Sequence, residues 1–319
     1  MNNPLISIIL PTYNVEKYIA RALHTCINQT FKDIEIIVVD DCGEDKSIAI
    51  AKEYAKQDSR IKIIHNEKNL GVFASRNVGV LRAKSQFLMF LDPDDYLELD
   101  ACKICSLYFD KNFDFIWFNL KFDNKLQEKP LKDLFLTHEE YIKYTLVGNI
   151  SYLWNICSKL ISKRTYEQAL NMLKSYCHCK LNMAEDALMY YFIVLNSKYI
   201  ITSSKIIYNY MRNDTSITQS KDLKLIKQGI DDEKMIISII LNYLNHHVLN
   251  NVTYIFSKSI LCKMYIANTG KQIDFYRKKN YILYKLFYKL RYKNQQRIYK
   301  IKQWFYLKQL MIKFRHINI

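Results

Sequence analysis

The stretch Phe87-Leu88-Met89-Phe90-Leu91-Asp92-Pro93-Asp94-Asp95 decides how this chain can fold. Its first five residues are uncharged and hydrophobic, which predicts a strand buried on both faces. Because Pro93 cannot continue a hydrogen-bonded ladder, the carboxylates follow the carboxyl end of that strand. Open α/β sheets bind their ligands at this end.

Three carboxylates within four residues repel one another unless a positive charge lies between them. Divalent cations with oxygen ligands often supply that charge, so the stretch predicts a Mg²⁺ or Mn²⁺ site that holds a substrate phosphate. Asp and Pro are also ordinary turn residues, and a solvated acidic turn that caps the next helix is the alternative interpretation. The stretch alone leaves both interpretations open.

Strands and helices alternate through the first hundred residues. Helical periodicity is found at 15–27, at 46–57 and from Gly71 onwards, and short apolar runs predict strands at 5–10, 34–39, 61–64 and 87–91. Strands separated by helices of about ten or more residues pair in parallel through right-handed crossovers. The expected fold is therefore an α/β unit of the nucleotide-binding type.

A second acidic pair, Asp40-Asp41, follows the second predicted strand. Parallel strands share their carboxyl edge, so this pair and Asp92 to Asp95 are expected in one site. Arg76 lies on the connecting helix, where it could reach a phosphate or neutralise the acids. An ordinary helix-surface charge is the alternative for Arg76.

The second half of the chain carries another acidic pair, Glu185-Asp186, at the start of an apolar helical run. Carboxylates there either complement the helix dipole or act as a catalytic base. Around this pair we expect a helix at 98–109, strands at 113–120 and 206–212, a polar loop at 124–133, and a strand or short helix at 152–161. Beyond Ser220 the pattern is helical and lacks proline, which places a boundary near that residue.

Length and composition bound the class of protein. Half of the 319 residues are hydrophobic, which is enough for one large domain with an appendage or for two modest domains. No apolar run reaches the roughly 18 residues that span a bilayer, and no signal-peptide pattern is visible, so we expect a cytoplasmic protein with reduced cysteines. Cys102-x-x-Cys105 and Cys177-His178-Cys179 form a weak zinc pattern, and small buried hydrophobes are the better interpretation of these cysteines.

Positive charge is concentrated at the C-terminus. The net charge is +16, and residues 271–319 contain fourteen basic side chains but one acidic residue, Asp274. Between residues 281 and 305 basic residues recur every three or four positions, which predicts a basic amphipathic helix. Such a helix suits an anionic membrane surface, whereas a helical bundle with a solvated basic face is the alternative.

Several short motifs follow one another along the chain. They are Ser7 to Asn14 (SIILPTYN), Val38 to Asp41, Asn69-x-Gly71, Arg76-Asn77-x-Gly79, Phe90 to Asp95, Trp154-Asn155 with Lys159-Leu160, Glu185-Asp186, and Tyr208-x-Tyr210-x-Arg212 with Ser216. This set, over about residues 5–218, resembles the inverting family 2 glycosyltransferases of the GT-A fold. Within that family it looks most like bacterial enzymes of the lipooligosaccharide outer core, several of them galactosyltransferases.

The resemblance implies a role for each matched position. The implied donor-binding residues are Pro11, Thr12, Tyr13, Asp40, Asp41, Arg76, Asp92 and Asp94. Among these, Thr12 and Tyr13 would line the uracil and ribose, Asp41 would accept a hydrogen bond from the base, and Arg76 would lie near the uracil or the phosphates.

The same resemblance implies a metal and a base. Asp92 and Asp94 occupy the DxD positions, the first near the ribose and the second on Mn²⁺ or Mg²⁺, with Asp95 in support, so that all three form the implied metal set. Asp186 matches the catalytic base, and Glu185 is its neighbour. Two departures are Pro93, where Ser or Ala is common, and Asn213, near which some relatives carry a histidine that contacts the metal or phosphate.

Two other classes fit parts of the sequence. A basic tail with Tyr, Phe and Trp is typical of nucleic-acid-binding proteins, although here the charge lies outside the α/β unit. A nucleotidyltransferase would share the sheet, but no glycine-rich loop with Arg and Lys follows the first strand. The glycosyltransferase is the preferred prediction because several independent motifs agree.

We therefore expect an α/β, GT-A type, Rossmann-like and mostly parallel sheet flanked by helices, with a helical C-terminal extension. Residues 1–220 would form the catalytic domain, with nucleotide-sugar binding in 1–120 and acceptor binding and catalysis in 121–220, followed by a basic helical region at 221–319. The expected enzyme is metal-dependent and moves a hexose, with galactose favoured, from a UDP-sugar to a lipid-linked oligosaccharide or other surface glycan. It would bind the anionic inner face of the bacterial inner membrane through residues 271–319 and would not bind nucleic acid.

Overall fold

A computed structural model describes residues 3–126, 130–147, 154–213, 221–279 and 289–313. The chain forms two compact units. The first comprises Met1–His138, Trp154–Leu181 and Phe192–Asn213, and the second comprises Glu139–Leu153, Asn182–Tyr191 and Asp214–Ile319. The second unit therefore contains two internal segments in addition to the C-terminal helices, so it is not limited to the residues beyond the boundary expected near Ser220.

The secondary structure follows the predicted alternation. The strands are β1 (Ile6–Thr12), β2 (Ile34–Asp40), β3 (Ile61–His65), β4 (Phe87–Phe90), β5 (Tyr96–Leu97), β6 (Phe115–Phe122), β7 (Lys125–Leu126), β8 (Leu134–Thr137), β9 (Lys159–Ser162) and β10 (Tyr199–Tyr210). The helices are α1 (Ile19–Ile27), α2 (Ser47–Gln57), α3 (Val72–Arg82), α4 (Ala101–Ser106), α5 (His138–Val147), α6 (Lys163–Met172), α7 (Glu185–Leu195), α8 (Leu223–His246), α9 (Asn251–Lys279) and α10 (Lys289–Lys313).

The strands of the first unit form one sheet in the order β3-β2-β1-β4-β9-β6-β10-β5, with β7 on β6 and β8 on β10. The pairs β3-β2, β2-β1, β1-β4 and β6-β10 are parallel. Strand β9 runs antiparallel between β4 and β6, and β5 runs antiparallel to β10. Six of the eight strands along this path therefore point the same way and share one carboxyl edge.

The interior of the sheet is as apolar as the sequence predicts. All seven residues of β1 are buried, and Leu88, Met89 and Phe90 of β4 have no exposed surface. Helix α3 packs closely on β1 because Gly79 has no side chain, since a Cβ there would lie 2.5 Å from Cγ2 of Ile9. Only glycine permits this approach without a shift of β1.

One carboxylate is buried between β1, β2 and β3. Glu35 is 3% exposed and accepts hydrogen bonds from the Ser7 hydroxyl (2.7 Å), the Lys84 backbone N–H (2.6 Å) and the Lys62 ammonium (2.5 Å). Burial raises the pKa of Glu35, but the hydrogen bonds outweigh it, the one from Lys62 most strongly, and hold the pKa below its ordinary value. The ionised carboxylate therefore stabilises the folded sheet.

The second half of the sheet differs in detail from the prediction. The segment at 152–161, which was ambiguous from its periodicity, contains the antiparallel strand β9 at Lys159–Ser162. The helix expected at 98–109 is the short α4, and β5 precedes it. Strand β10 begins earlier than predicted and shifts its register between Ser203 and Tyr208, an irregularity typical of a β-bulge.

The cysteines of the first candidate zinc half are core residues. Cys102 and Cys105 are fully buried, and burial raises the pKa of the Cys102 thiol to about 12. The prediction of small buried hydrophobes is confirmed for these two cysteines, whereas Cys177 and Cys179 of the second half are only partly buried.

The second unit is built on long helices. Helix α10 packs on α9, with the Tyr265 and Tyr299 rings stacked at 4.3 Å. Helix α8 is tied to α9 by Asn268, whose amide donates to the Ile230 carbonyl (2.9 Å) and to Glu233 (3.0 Å). Within the described ranges, no helix combines the length and apolar character that a membrane span requires. Of the predicted amphipathic segment 281–305, residues 281–288 lie outside the described residues.

Candidate active site

Three strand ends meet at the carboxyl edge of the sheet. Thr12 at the end of β1 is in register with Asp40 at the end of β2, and the Asp41 N–H donates to the Thr12 carbonyl at 3.0 Å. Strand β4 lies on the other side of β1, and the Leu91 N–H donates to the Ile9 carbonyl at 3.0 Å. The loop with Asp92 therefore starts at the same edge, as the parallel pairing predicts.

The Asp41 carboxylate organises the loop before α3. It is 3% exposed and accepts hydrogen bonds from the N–H groups of Leu70 (2.7 Å) and Gly71 (2.9 Å) and from the Asn66 amide (2.8 Å). Gly71 has a φ of 85°, which suits glycine and lets its N–H point at the carboxylate. The Asp41 oxygens therefore hold this loop, and the expected hydrogen bond from a nucleotide base to Asp41 stays a prediction.

The more accessible groups at this edge are Asp40 and Tyr13. The Asp40 carboxylate pairs with His65 Nδ1 at 2.7 Å and accepts the Cys42 N–H at 3.0 Å. Tyr13 is 48% exposed and can offer a ring face to a planar ligand. Thr12 is 1% exposed and its hydroxyl donates to the Leu10 carbonyl, so its side chain shapes the strand end from inside.

Arg76 and Asp92 form an ion pair at this edge. The guanidinium Nη2 lies 2.7 Å from Asp92 Oδ1, with the Arg76 side chain 4% and the Asp92 side chain 29% exposed. The second oxygen of Asp92 accepts from the Cys157 thiol at 3.3 Å. Of the two roles weighed for Arg76, these contacts favour neutralisation of the acidic loop.

Asp94 is held by groups from two distant parts of the first unit. Its Oδ2 accepts from the Asn213 amide at 3.0 Å, and its backbone carbonyl accepts from Arg21. Burial and the neighbouring Asp92 charge raise the pKa of the Asp94 carboxyl. Asn213 thus contacts the acidic loop at the position where some relatives are expected to carry a histidine.

Asp95 is a support for the loop. It is 1% exposed, and it accepts from the Tyr208 hydroxyl at 2.6 Å and from the Met211 N–H at 2.7 Å. The same Tyr208 hydroxyl accepts from the Asp92 N–H at 3.2 Å. Burial, together with the Asp92 and Asp94 charges, raises the pKa of Asp95 to about 8. Its carboxylate faces Tyr208 and β10, which fits the supporting role expected of Asp95, and its place among the metal ligands stays a prediction.

The more accessible acids of the loop fit a hard divalent cation. Asp92 and Asp94 are partly exposed, and burial, followed by the negative charge of Asp92, raises the pKa of Asp94. Among the described residues, no three His, Cys, Asp or Glu side chains are grouped to hold a metal. Mg²⁺ and Mn²⁺ sites on phosphate substrates commonly use one or two carboxylates and take their other ligands from phosphate and water, so two are sufficient.

Lys159 is the first residue of β9. It is 1% exposed, its ammonium lies 4.6 Å from the Trp117 ring centroid, and it donates to the carbonyl and to the side-chain oxygen of Asn155. These bonds fix the segment between Asn155 and Lys159, which contains Cys157, the residue whose thiol donates to Asp92.

The second acidic pair belongs to the second unit. Glu185 and Asp186 form the first turn of α7, after Ala184 with a φ of 62°, and the following turns of α7 are buried. Glu185 is 8% exposed and Asp186 is half-buried, so Asp186 is the more accessible carboxylate. The role of Asp186 as catalytic base, with Glu185 as its neighbour, stays a prediction.

Sequence reasoning did not assign the residues that support the acidic loop. Tyr208 and Lys159 are both motif positions. The partner of Tyr208, Asp95, lies 113 residues away in sequence, and the partner of Lys159, Asn155, lies four residues away. A tyrosine or lysine in a buried strand was the available signal, since both need a polar partner there.

Comparisons with known proteins agree with this geometry. Residues 7–164 match the family described as Glycosyl transferase family 2. The chain is 32% identical over 240 residues to the putative glycosyltransferase EpsH of Bacillus subtilis (strain 168), covering 72% of this chain and 67% of EpsH.

Two solved structures share the fold. S. aureus TarS 1-349 in complex with UDP-GlcNAc has a TM-score of 0.63 at 22% identity, covering 98% of this chain and 91% of that one. The mannosyltransferase PcManGT from Pyrobaculum calidifontis, in complex with GDP-Man and Mn²⁺, has a TM-score of 0.53 at 13% identity, covering 98% and 87%. The chain belongs to glycosyl transferase family 2 and has its GT-A type α/β fold.

Proposed function

We propose that this glycosyltransferase moves a hexose from a UDP-sugar to a hydroxyl of a surface glycan, with Mn²⁺ or Mg²⁺ bound at Asp92 and Asp94. Family membership supports the reaction class, and the UDP-GlcNAc complex of TarS supports the donor class. The Mn²⁺ complex of PcManGT supports a metal in this fold. Galactose as the sugar and a lipooligosaccharide as the acceptor follow from the motif resemblance alone.

The observation that carries the proposal is the charge balance of the Asp92-Pro93-Asp94 loop. Arg76 supplies one buried cation to Asp92, whereas the Asp94 carboxylate accepts from the neutral amide of Asn213 and Arg21 contacts Asp94 through its backbone carbonyl. The acidic loop therefore retains negative charge at a ligand-binding edge. A divalent cation with a diphosphate completes such a site.

A bound cation would stabilise the negative charge that develops on the diphosphate as the sugar C1–O bond breaks. The chain's own residues position this chemistry. Tyr208 and Asp95 hold the Asp92 backbone, and Asn213 orients the Asp94 carboxylate. Tyr13 presents its exposed ring to the donor base.

Asp186 is proposed as the base that takes the proton of the acceptor hydroxyl. A single displacement with one base on the acceptor side inverts the anomeric carbon, and no second nucleophilic carboxylate is needed. Asp186 is chosen over Glu185 because it is the more accessible of the two.

The test is a donor panel. Full-length protein with Mn²⁺ is incubated with UDP-galactose, UDP-glucose, UDP-GlcNAc and GDP-mannose, with truncated lipooligosaccharide acceptors, and released nucleoside diphosphate is measured. We expect turnover with a UDP-sugar and the opposite anomeric configuration in the product. Turnover with GDP-mannose alone would contradict the donor, and retention of configuration would contradict the mechanism.

A further inference from the structure

Helix α10 has an inner and an outer face, and contacts with α9 define the inner one. Tyr299 stacks on Tyr265, and the Gln296 amide donates to the Ile266 carbonyl at 3.3 Å. Tyr292 is 8% exposed and continues this face one to two turns earlier. The inner face is therefore made of tyrosine and glutamine.

The outer face of α10 carries large apolar side chains in solvent. Ile298, Ile301, Trp304 and Phe305 are 50%, 66%, 60% and 52% exposed. At 100° per residue these four positions fall within one third of the helix circumference, opposite the face that contacts α9. Exposed apolar groups grouped on one helix face indicate an interaction surface.

Basic side chains are interleaved with these apolar groups. Arg297, Lys300, Lys302 and Lys308 are exposed, and the Lys308 ammonium lies 5.0 Å from the Trp304 ring centroid. The sequence of α10 contains no Asp or Glu. All charged side chains of α10 are thus cationic, and their charge complements an anionic surface.

We propose that the outer face of α10 binds the surface of an anionic phospholipid bilayer. The helix lies parallel to the surface, with Ile301, Trp304 and Phe305 inserted at the boundary between headgroups and acyl chains and the basic side chains at the headgroups. Lys and Arg reach the phosphates while their methylene stems cover apolar surface, and tryptophan prefers this interface. The inference rests on α10 alone and holds whatever sugar the enzyme transfers.

A bilayer fits better than a globular partner because both components of the face are used at once. Headgroup phosphates meet the cations all along the helix, and the apolar side chains reach hydrocarbon at a shallow depth. Nucleic acid would satisfy the cations but would leave Ile298 and Ile301 in water.

The charge arm of the test uses two variants of equal net charge. One replaces Arg297, Lys300, Lys302 and Lys308 by Gln, and the control replaces Lys52, Lys56, Lys103 and Lys111, which are exposed on the first unit. Full-length proteins are sedimented with phosphatidylcholine vesicles containing 30% phosphatidylglycerol. At roughly fivefold per basic residue, the α10 variant should bind on the order of a few hundredfold more weakly, and the control within about threefold of wild type.

The apolar arm compares Ile301→Ser/Phe305→Ser with Leu81→Ser/Leu107→Ser, whose leucines are equally exposed on the first unit at 67% and 64%. The α10 pair should lose about tenfold or more in binding, and the leucine pair should lose little. In brominated phosphatidylcholine mixed with phosphatidylglycerol, tryptophan fluorescence should be quenched in wild type and not in Trp304→Phe.

Three results would overturn the proposal. The first is a full-length protein that does not sediment with anionic vesicles at low salt, and the second is equal binding by the α10 charge variant and its control. The third is binding to single-stranded DNA that is lost in the α10 variant while vesicle binding is absent. Donor hydrolysis in solution should be unchanged in every variant, so a failure of the proposed sugar transfer is recognised separately.

Discussion

Replacement of Tyr208 by phenylalanine should destabilise the first unit and loosen the acidic loop. Tyr208 is fully buried, and its hydroxyl joins β10 to the acidic loop by donating to Asp95 and accepting from the Asp92 N–H. Phenylalanine keeps the ring and removes only that hydroxyl. The buried Asp95 carboxyl then loses one of its two hydrogen-bond donors.

The cost can be estimated from the two lost bonds. A buried polar group without its partner costs about 1–3 kcal/mol, with the larger values for ionisable groups. Asp95 is 1% exposed and takes the upper part of this range, whereas the Asp92 side chain is 29% exposed, so water can reach that loop more easily. We expect the free energy of unfolding to fall by about 3 kcal/mol.

Tyr199→Phe is the matched control. It lies at the start of the same strand, and its ring stacks on Phe135 at 5.5 Å, a contact that phenylalanine keeps. Urea unfolding of both variants gives the two free energies, and the control should change by less than about 1 kcal/mol. Affinity for UDP with Mn²⁺ should weaken only in Tyr208→Phe. Equal losses of stability in the two variants would refute the reasoning.

Three further predictions follow from other contacts. Asp186→Asn should lower turnover by about two to four orders of magnitude with donor affinity retained, and a larger loss in Glu185→Gln, measured in the same assay, would reverse the assignment of the base. Because the folded pKa of Glu35 is depressed, its contribution to the free energy of unfolding is present above its ordinary pKa of 4.5 and is lost as the pH falls through the folded value. Between pH 6 and pH 3, Glu35→Gln should therefore lose less stability than wild type in urea titrations. Parallel pH profiles of the two proteins would contradict this. Gly79→Ala should destabilise the protein by about 1–3 kcal/mol because the added Cβ would clash with Ile9 of β1. Gly270→Ala should stabilise it by about 0.5–1 kcal/mol, because a Cβ there meets only the end of a glutamine side chain at 3.4 Å. Melting temperatures that shift in the same direction in both variants would contradict the packing argument.

The parallel half of the sheet could be predicted from the sequence because its signals are local. Short, mostly apolar runs of the length of β1, β2 and β4 are typical of buried strands, and the acids after β2 and β4 mark the carboxyl edge. Parallel pairing then places Asp40 and Asp92 at one edge without knowledge of any side-chain contact.

The antiparallel strands and the supports of the site depend on distant partners. Strand β9 has only four residues and is defined by pairing with β4 and β6, which no local period reveals. Asp95 resembles its neighbours in sequence, and the Tyr208 hydroxyl and the Met211 N–H, 113 and 116 residues away, hold it inward. The buried role of Asp41 likewise depends on a loop 29 residues downstream.

Calorimetric titration of UDP into the metal-free protein and into the Mn²⁺-loaded protein tests the central claim most directly. Wild type, Asp94→Asn and Asp110→Asn are compared, because Asp110 is an exposed carboxylate of the same unit. We predict that Mn²⁺ tightens UDP binding by about tenfold or more in wild type and in Asp110→Asn, and that Asp94→Asn abolishes this gain. Equal UDP affinity with and without Mn²⁺ in wild type, or an undiminished gain in Asp94→Asn, would contradict a metal-bound diphosphate at the Asp92–Asp94 loop.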